Sequence, residues 1–217
     1  MCFSATASFS AGVVLTIVGV ATIKKSQSPN QKLFASIPFI FAAQQIVEGF
    51  LWLALPNPEY LLAQEGLTYA FLFVAQIMWP IWVPISILML TPKVDRKLIQ
   101  KALAGIGVFT GVALAFCLIS FDVSAKIHGN HVLYNQNYPD SIRFIGVAFY
   151  LAATILPLFF SSVKNLWMLG LGILLSYIVS AIFFSRYLLS VWCFFAAIIS
   201  VTVYIIIVKT NKQKMVS

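Results

Sequence analysis

Seven stretches of about 20 residues carry almost no charge: about 5–23, 33–55, 67–90, 102–121, 144–163, 165–184 and 187–208. Each is long enough to cross roughly 30 Å of hydrocarbon as an α-helix. Backbone amides in lipid must be satisfied within their own segment, and the alternating pattern of a membrane barrel strand is absent, so helices are the expected elements. Only Ser185 and Arg186 separate the last two stretches. A tight hairpin there is expected, because a single helix of about 40 residues would run to about 60 Å and overshoot the bilayer.

Composition supports the same class. Apolar residues make up 61% of the 217 and charged residues 9%, against roughly 25% charged in a soluble domain. The net charge of +8 reads as topology and not as a nucleic-acid surface. Lys24, Lys25, Lys32, Lys93, Arg96, Lys97, Lys101, Lys164, Lys209, Lys212 and Lys214 all fall on one side of the seven stretches, eleven of the fourteen basic residues. The other side holds Lys126, Arg143 and Arg186 with Glu59, Glu65, Asp122 and Asp140. By the positive-inside rule the fold class is all-α, a polytopic bundle of seven transmembrane helices forming one integral membrane domain over 1–217, with the N-terminus outside and the C-terminus cytoplasmic. The expected location is the plasma (inner) membrane. The first stretch lacks a leading basic region, so it is expected to be a permanent helix and not a cleaved signal.

Several chemistries lack their residues. Span seven has no lysine between Tyr187 and Val208 for a retinal Schiff base. There is no Pro-Gln dipeptide of the small seven-helix exporters, and no Walker, HExxH or EF-hand pattern. The seven-helix membrane hydrolases related to alkaline ceramidase share the topology but use several histidines within the membrane. Here the only histidines are His128 and His131, both in a loop.

MCFSATASF at the start, QQIVEG in span two, WPIWVP in span three and SVWCFFAA in span seven resemble an uncharacterised bacterial family of small seven-helix membrane proteins. The resemblance implies a helical unit and no particular activity.

One acidic residue lies well inside a span. Glu48 sits about seven residues, or roughly 10 Å, from the outer end of span two, where a carboxyl group calls for a partner or a cavity. Gln44, Glu48 and Trp52 recur every four residues and Gln45 flanks them, so one helix face is polar. The plain alternative is an interhelical clamp. Gln76 in span three falls at a similar depth. Pro80 removes the amide that would bond the Gln76 carbonyl, and Pro84 does the same to Pro80, so two carbonyls are freed near mid-membrane with Trp79 and Trp82 beside them. The plain account of these residues is a packing kink. At the start of span seven, Trp192 is a further candidate.

These residues predict an outward-facing polar cavity and a small-solute or ion transporter or ligand-binding protein coupled through Glu48, with Gln44, Gln45, Trp52, Gln76, Trp79 and Trp192 as ligand-binding candidates. A second reading is a membrane-embedded zinc hydrolase. His-Gly-Asn-His offers two ligands at His128 and His131, with either Glu48 or Cys2 as a third, for Zn²⁺. A third is a non-catalytic structural or sensory partner. The pattern leans away from an enzyme, and the bilayer is the only partner clearly implied.

Overall fold

A computed structural model describes residues 4–91 and 94–216. Helices α1 (Ala5–Lys25), α2 (Pro29–Ala35) and α3 (Ile37–Ala54) are followed by α4 (Leu61–Leu72), a π-helical segment at Phe73–Met78, and α5 (Trp79–Leu90). Then come α6 (Val94–Ser120), strands β1 (Val123–His128) and β2 (His131–Gln136), α7 (Asp140–Phe159), α8 (Leu166–Phe183), α9 (Leu188–Ile199) and α10 (Thr202–Val216). They make seven helical runs long and apolar enough to cross a membrane: Ala5–Lys25, Pro29–Ala54, Pro58–Leu90, Arg96–Ser120, Asp140–Phe159, Leu166–Phe183 and Ser185–Lys212.

The distribution of polarity is that of a protein solvated by lipid. Ile119 is 84% exposed and Phe144 81%, while Gln31, Gln44, Gln45, Glu48 and Gln100 are among the largest fully buried side chains. An aqueous fold would reverse this arrangement. With lipid as apolar as the core, the helices are held by close packing and buried polar contacts. α1 lies against α3 through Gly12 and Gly19. A methyl group on Gly19 would fall 2.7 Å from the Phe39 backbone nitrogen, so only glycine allows this approach.

Polar clamps close the end of the bundle that carries most of the basic residues. Gln31 Nε2 donates to Asn211 Oδ1 at 2.8 Å, and Asn211 Nδ2 donates to the Lys25 carbonyl at 2.7 Å, tying α2, α10 and the end of α1. On α6, Gln100 donates to the Pro157 carbonyl (3.0 Å) and Arg96 to the Ser161 carbonyl (3.0 Å). Spaced one turn apart, these two side chains satisfy carbonyls that the end of α7 leaves without amide donors, and the cation complements the helix dipole.

The boundaries depart from the sequence expectation where polar residues continue a helix. Span two begins at Pro29 and breaks at Ser36, where Trp82 Nε1 donates to the Leu33 carbonyl and the Ser36 hydroxyl. Span five occupies 140–159 in place of 144–163, because Pro139 fixes its first turn and Arg143 pairs with Asp140 at 3.6 Å. α8 and α9 are separate helices joined by a 3₁₀ turn at Ser185–Tyr187, the expected hairpin. The segment after span four, expected to be a loop, is a two-stranded antiparallel hairpin with Ala125 opposite Tyr134 and His128 opposite His131. Gly129, at φ 59°, takes the left-handed conformation its tight turn requires.

Candidate functional site

Span two supplies a buried polar layer. Residues 44, 45 and 48 lie on the side of α3 that packs against neighbouring helices, and all three are wholly buried. The Ser190 hydroxyl on α9 donates to Glu48 Oε1 at 2.6 Å. Trp79 Nε1 donates to Gln44 Oε1 at 3.0 Å, and the Trp79 ring stacks on Phe41 with centroids 4.0 Å apart. Spans two, three and seven are thereby joined at one level. Neither Gln45 amide atom nor Trp52 Nε1 has a hydrogen-bond partner among the described residues.

The kink in span three takes a form that the proline pattern alone did not give. Through Phe73–Met78 the backbone is π-helical, and the Trp79 amide reaches back five residues to the Val74 carbonyl. In that register the amide missing at Pro80 would have served Ala75, so the expected orphan at Gln76 moves to Ala75. The Tyr150 hydroxyl on α7 donates to that Ala75 carbonyl. The π turn also leaves Gln76 6% exposed, with its Oε1 accepting from the Tyr138 hydroxyl at 3.1 Å. Burial, together with the nearby Cys117 and Tyr69, pushes the Tyr138 phenol well above its ordinary range, which keeps it a donor.

Below the hairpin lies a cavity of about 400 Å³, lined by Gln76, Tyr134, Tyr138, Tyr150, Tyr177 and Trp192, with Arg143 and Arg186 also in its wall. A second cavity of about 60 Å³, nearly all apolar, is lined by residues that include Phe41, Trp79, Cys193, Ser200 and Val203. Tyr150 and Trp192 line both. Their rings meet edge to face with centroids 5.6 Å apart, and Tyr177 meets Trp192 in the same way at 5.1 Å.

The candidate residues therefore divide among three places. Gln76 and Trp192 line the larger cavity, and Trp79 and Trp192 line the smaller. Gln44, Gln45, Glu48 and Trp52 line neither; Gln44, Gln45 and Glu48 are sealed in the interior, so the single cavity expected to be lined by Glu48 and Gln76 together is not what forms. The reason is rotational: the face of α3 that carries them is covered by α9, with Ser190 seated on the carboxyl group. Sequence reading missed Tyr150, Tyr177 and the hairpin residues Tyr134 and Gln136. Tyrosine in an apolar run reads as an interfacial residue, yet Tyr150 falls in the middle of a span, and that depth was a usable signal.

His128 and His131 close the hairpin as a cross-strand pair and converge on Tyr187. The Tyr187 hydroxyl and His128 Nδ1 share a short hydrogen bond, and the His131 ring stacks on Tyr187 with centroids 4.5 Å apart. No cluster of three or more His, Cys, Asp or Glu occurs among the described residues, and Cys2 lies outside them. The pair clasps the hairpin tip to the turn before α9. Burial holds the His131 pKa below its ordinary value, so its neutral form belongs to the clasped state. The clasp contributes fully above about pH 6.5 and is lost as pH falls from there through the lowered value of His131. Protection factors across β1 and β2, taken relative to the intrinsic exchange rate at each pH, should fall several-fold at about pH 5 relative to pH 7.5, and His131→Asn should remove most of that dependence. Equal protection at the two pH values would reject the clasp.

No curated protein and no solved structure matches the chain. A family model does, over residues 1–217: with its seven apolar helical runs and buried polar layer, the chain belongs to the family of unknown function DUF6629.

Proposed function

We propose that this membrane protein binds a small solute in the larger cavity and carries it across the bilayer, with Glu48 as the proton-coupling group. The observation that carries the reading is the pair of cavities that share two lining side chains, Tyr150 and Trp192. Two chambers that share an aromatic partition are what alternating access needs, because a small displacement of the partition changes which side a bound solute can reach. With the basic residues cytoplasmic by the positive-inside rule, the hairpin and the larger cavity face outward in a plasma membrane.

Coupling runs through α9. Ser190, which donates to Glu48, lies two residues from Trp192 on that helix. A solute that pushes Trp192 aside also shifts Ser190, which alters the solvation and hydrogen bonding of a carboxyl group held in low dielectric. Such a group exchanges its proton when its surroundings change.

Proteoliposomes carrying an internal pH dye, challenged with a panel of amino acids, sugars and small carboxylic acids, test the reading. The expected result is proton movement with at least one class of solute, abolished in Glu48→Gln while the variant remains monodisperse and melts within a few degrees of wild type. Solute uptake at an undiminished rate in Glu48→Gln would overturn the coupling.

A further inference from the structure

Every ionised side chain in the wall of the larger cavity is a cation. The lining residues include Arg143 and Arg186 and no Asp or Glu. Arg143 is held in place by its own bonds, its Nη2 donating to the carbonyls of Gln136 (3.1 Å) and Tyr138 (3.3 Å). Its ion pair with Asp140 is 3.6 Å long, and the Asp140 side chain is 97% exposed, so water screens most of that neutralisation. Arg186 makes no hydrogen bond or ion pair with the described residues.

Deeper in the cavity, donors are left over as well. Trp192 is 8% exposed and its Nε1 has no partner among the described residues; the buried Gln136 Nε2 has none either. The acceptor end of the Gln76 amide is already taken by Tyr138. A buried N–H without an acceptor is unfavourable, and here two such donors belong to residues of a wall that also carries two guanidinium groups. Apart from Asn135 and Ser185, the remaining lining is mostly aromatic or aliphatic: Tyr150 and Tyr177 each meet Trp192 edge to face, and Leu114, Val147 and Leu151 also line the wall.

We infer that this cavity takes an organic anion. A carboxylate or phosphate-ester group sits between Arg186 and Arg143, where the planar fork of arginine suits both, and a planar or aromatic body lies against Trp192 and Tyr177, within reach of the free indole N–H. The volume of about 400 Å³ falls in the range of pockets that enclose molecules of drug size, roughly 300–1,000 Å³. This inference rests on reading the cavity as a ligand site. The anion can come from solution or be the headgroup of an anionic lipid, which offers the same chemistry.

The test uses the full chain in phosphatidylcholine nanodiscs. Benzoate and phenyl phosphate are titrated against the neutral benzamide and benzyl alcohol, with binding read by calorimetry and tryptophan fluorescence. The anions should bind about tenfold more tightly than the neutral probes, the value of one charge-assisted pair. Arg186→Gln should remove that preference, Arg186→Lys should retain part of it, and Trp192→Phe should weaken all four probes. Repeating the titration with phosphatidylglycerol in the disc separates the sources: competition against benzoate identifies the lipid headgroup, and indifference identifies a soluble anion. Equal affinity for neutral and anionic probes, unchanged by Arg186→Gln, would overturn the anion assignment and leave the ligand site standing. If no probe binds in either disc, or Trp192→Phe leaves all binding intact, the cavity is not the site and the ligand-binding reading falls with it.

Discussion

Gly107→Ala should largely abolish the folded protein, whereas Gly105→Ala, two residues away on the same helix, should be neutral or slightly stabilising. Both substitutions add one methyl group to α6. At Gly105 the added carbon meets nothing within 4 Å, so the usual helix preference of alanine over glycine applies, about 0.5–1 kcal/mol. At Gly107 the same carbon would lie 2.0 Å from the Pro80 carbonyl oxygen and 2.7 Å from Pro84 Cγ. Neither can move away cheaply. The carbonyl is main chain, and the proline ring is part of a helix already bent around the π segment. Overpacking of this kind is unfavourable by about 3 kcal/mol or more. Because it forces α5 and α6 apart, it also disturbs Gln76 and the floor of the larger cavity. Fluorescence-detected size-exclusion chromatography with a thermal ramp on both variants gives the comparison; a Gly107→Ala protein as stable as Gly105→Ala would show that the two helices are not in this contact.

The contact also shows what was legible in the sequence. Pro80 and Pro84 announced an irregular helix, because proline lacks an amide and its effect is local. Glycine announced nothing comparable, since its value at 107 depends on a carbonyl from another helix. The same division holds elsewhere. The membrane spans were readable because lipid imposes a length and an absence of charge, and the buried Glu48 because a carboxyl group at that depth is costly wherever it points. Which neighbour covers it was not readable: Ser190 is 142 residues away in the chain, and the rotation of α3 follows from packing with α1 and α9. The hairpin was legible and missed. Val-Ser-Ala-Lys-Ile-His, Gly-Asn, His-Val-Leu-Tyr-Asn-Gln pairs alternating strands with a two-residue turn of favoured type, yet the two histidines drew the reading toward metal ligands.

Tyr150→Phe should destabilise the protein by about 2 kcal/mol, within the range for leaving a buried hydrogen-bonding group unpaired, although it removes a single oxygen and keeps the ring against Trp192. The reason lies in span three. The π register assigns the Ala75 carbonyl to residue 80, proline supplies no N–H there, and the Tyr150 hydroxyl is the donor that replaces it. Phenylalanine leaves that carbonyl facing a ring edge in low dielectric. This explanation makes a second, sharper demand. Pro80→Ala restores a backbone N–H at the missing position, so the tyrosine hydroxyl should matter much less in that background. A double-mutant cycle measured by thermal or denaturant unfolding in one detergent should give a coupling of about 1–2 kcal/mol between the two sites. If Tyr150→Phe is equally damaging with and without Pro80, the hydroxyl acts through something other than the freed carbonyl. The cycle bears on the proposed transport as well as on folding, because Tyr150 is one of the two side chains that line both cavities. A side chain bonded to an irregular turn of span three holds the proposed partition through a bond the helix does not otherwise need. In the Pro80→Ala background the turn can revert toward an ordinary α-helix, which would release Tyr150 and let the two cavities communicate. A gain of solute leak in Pro80→Ala with no loss of stability would tie the π segment to the proposed gate.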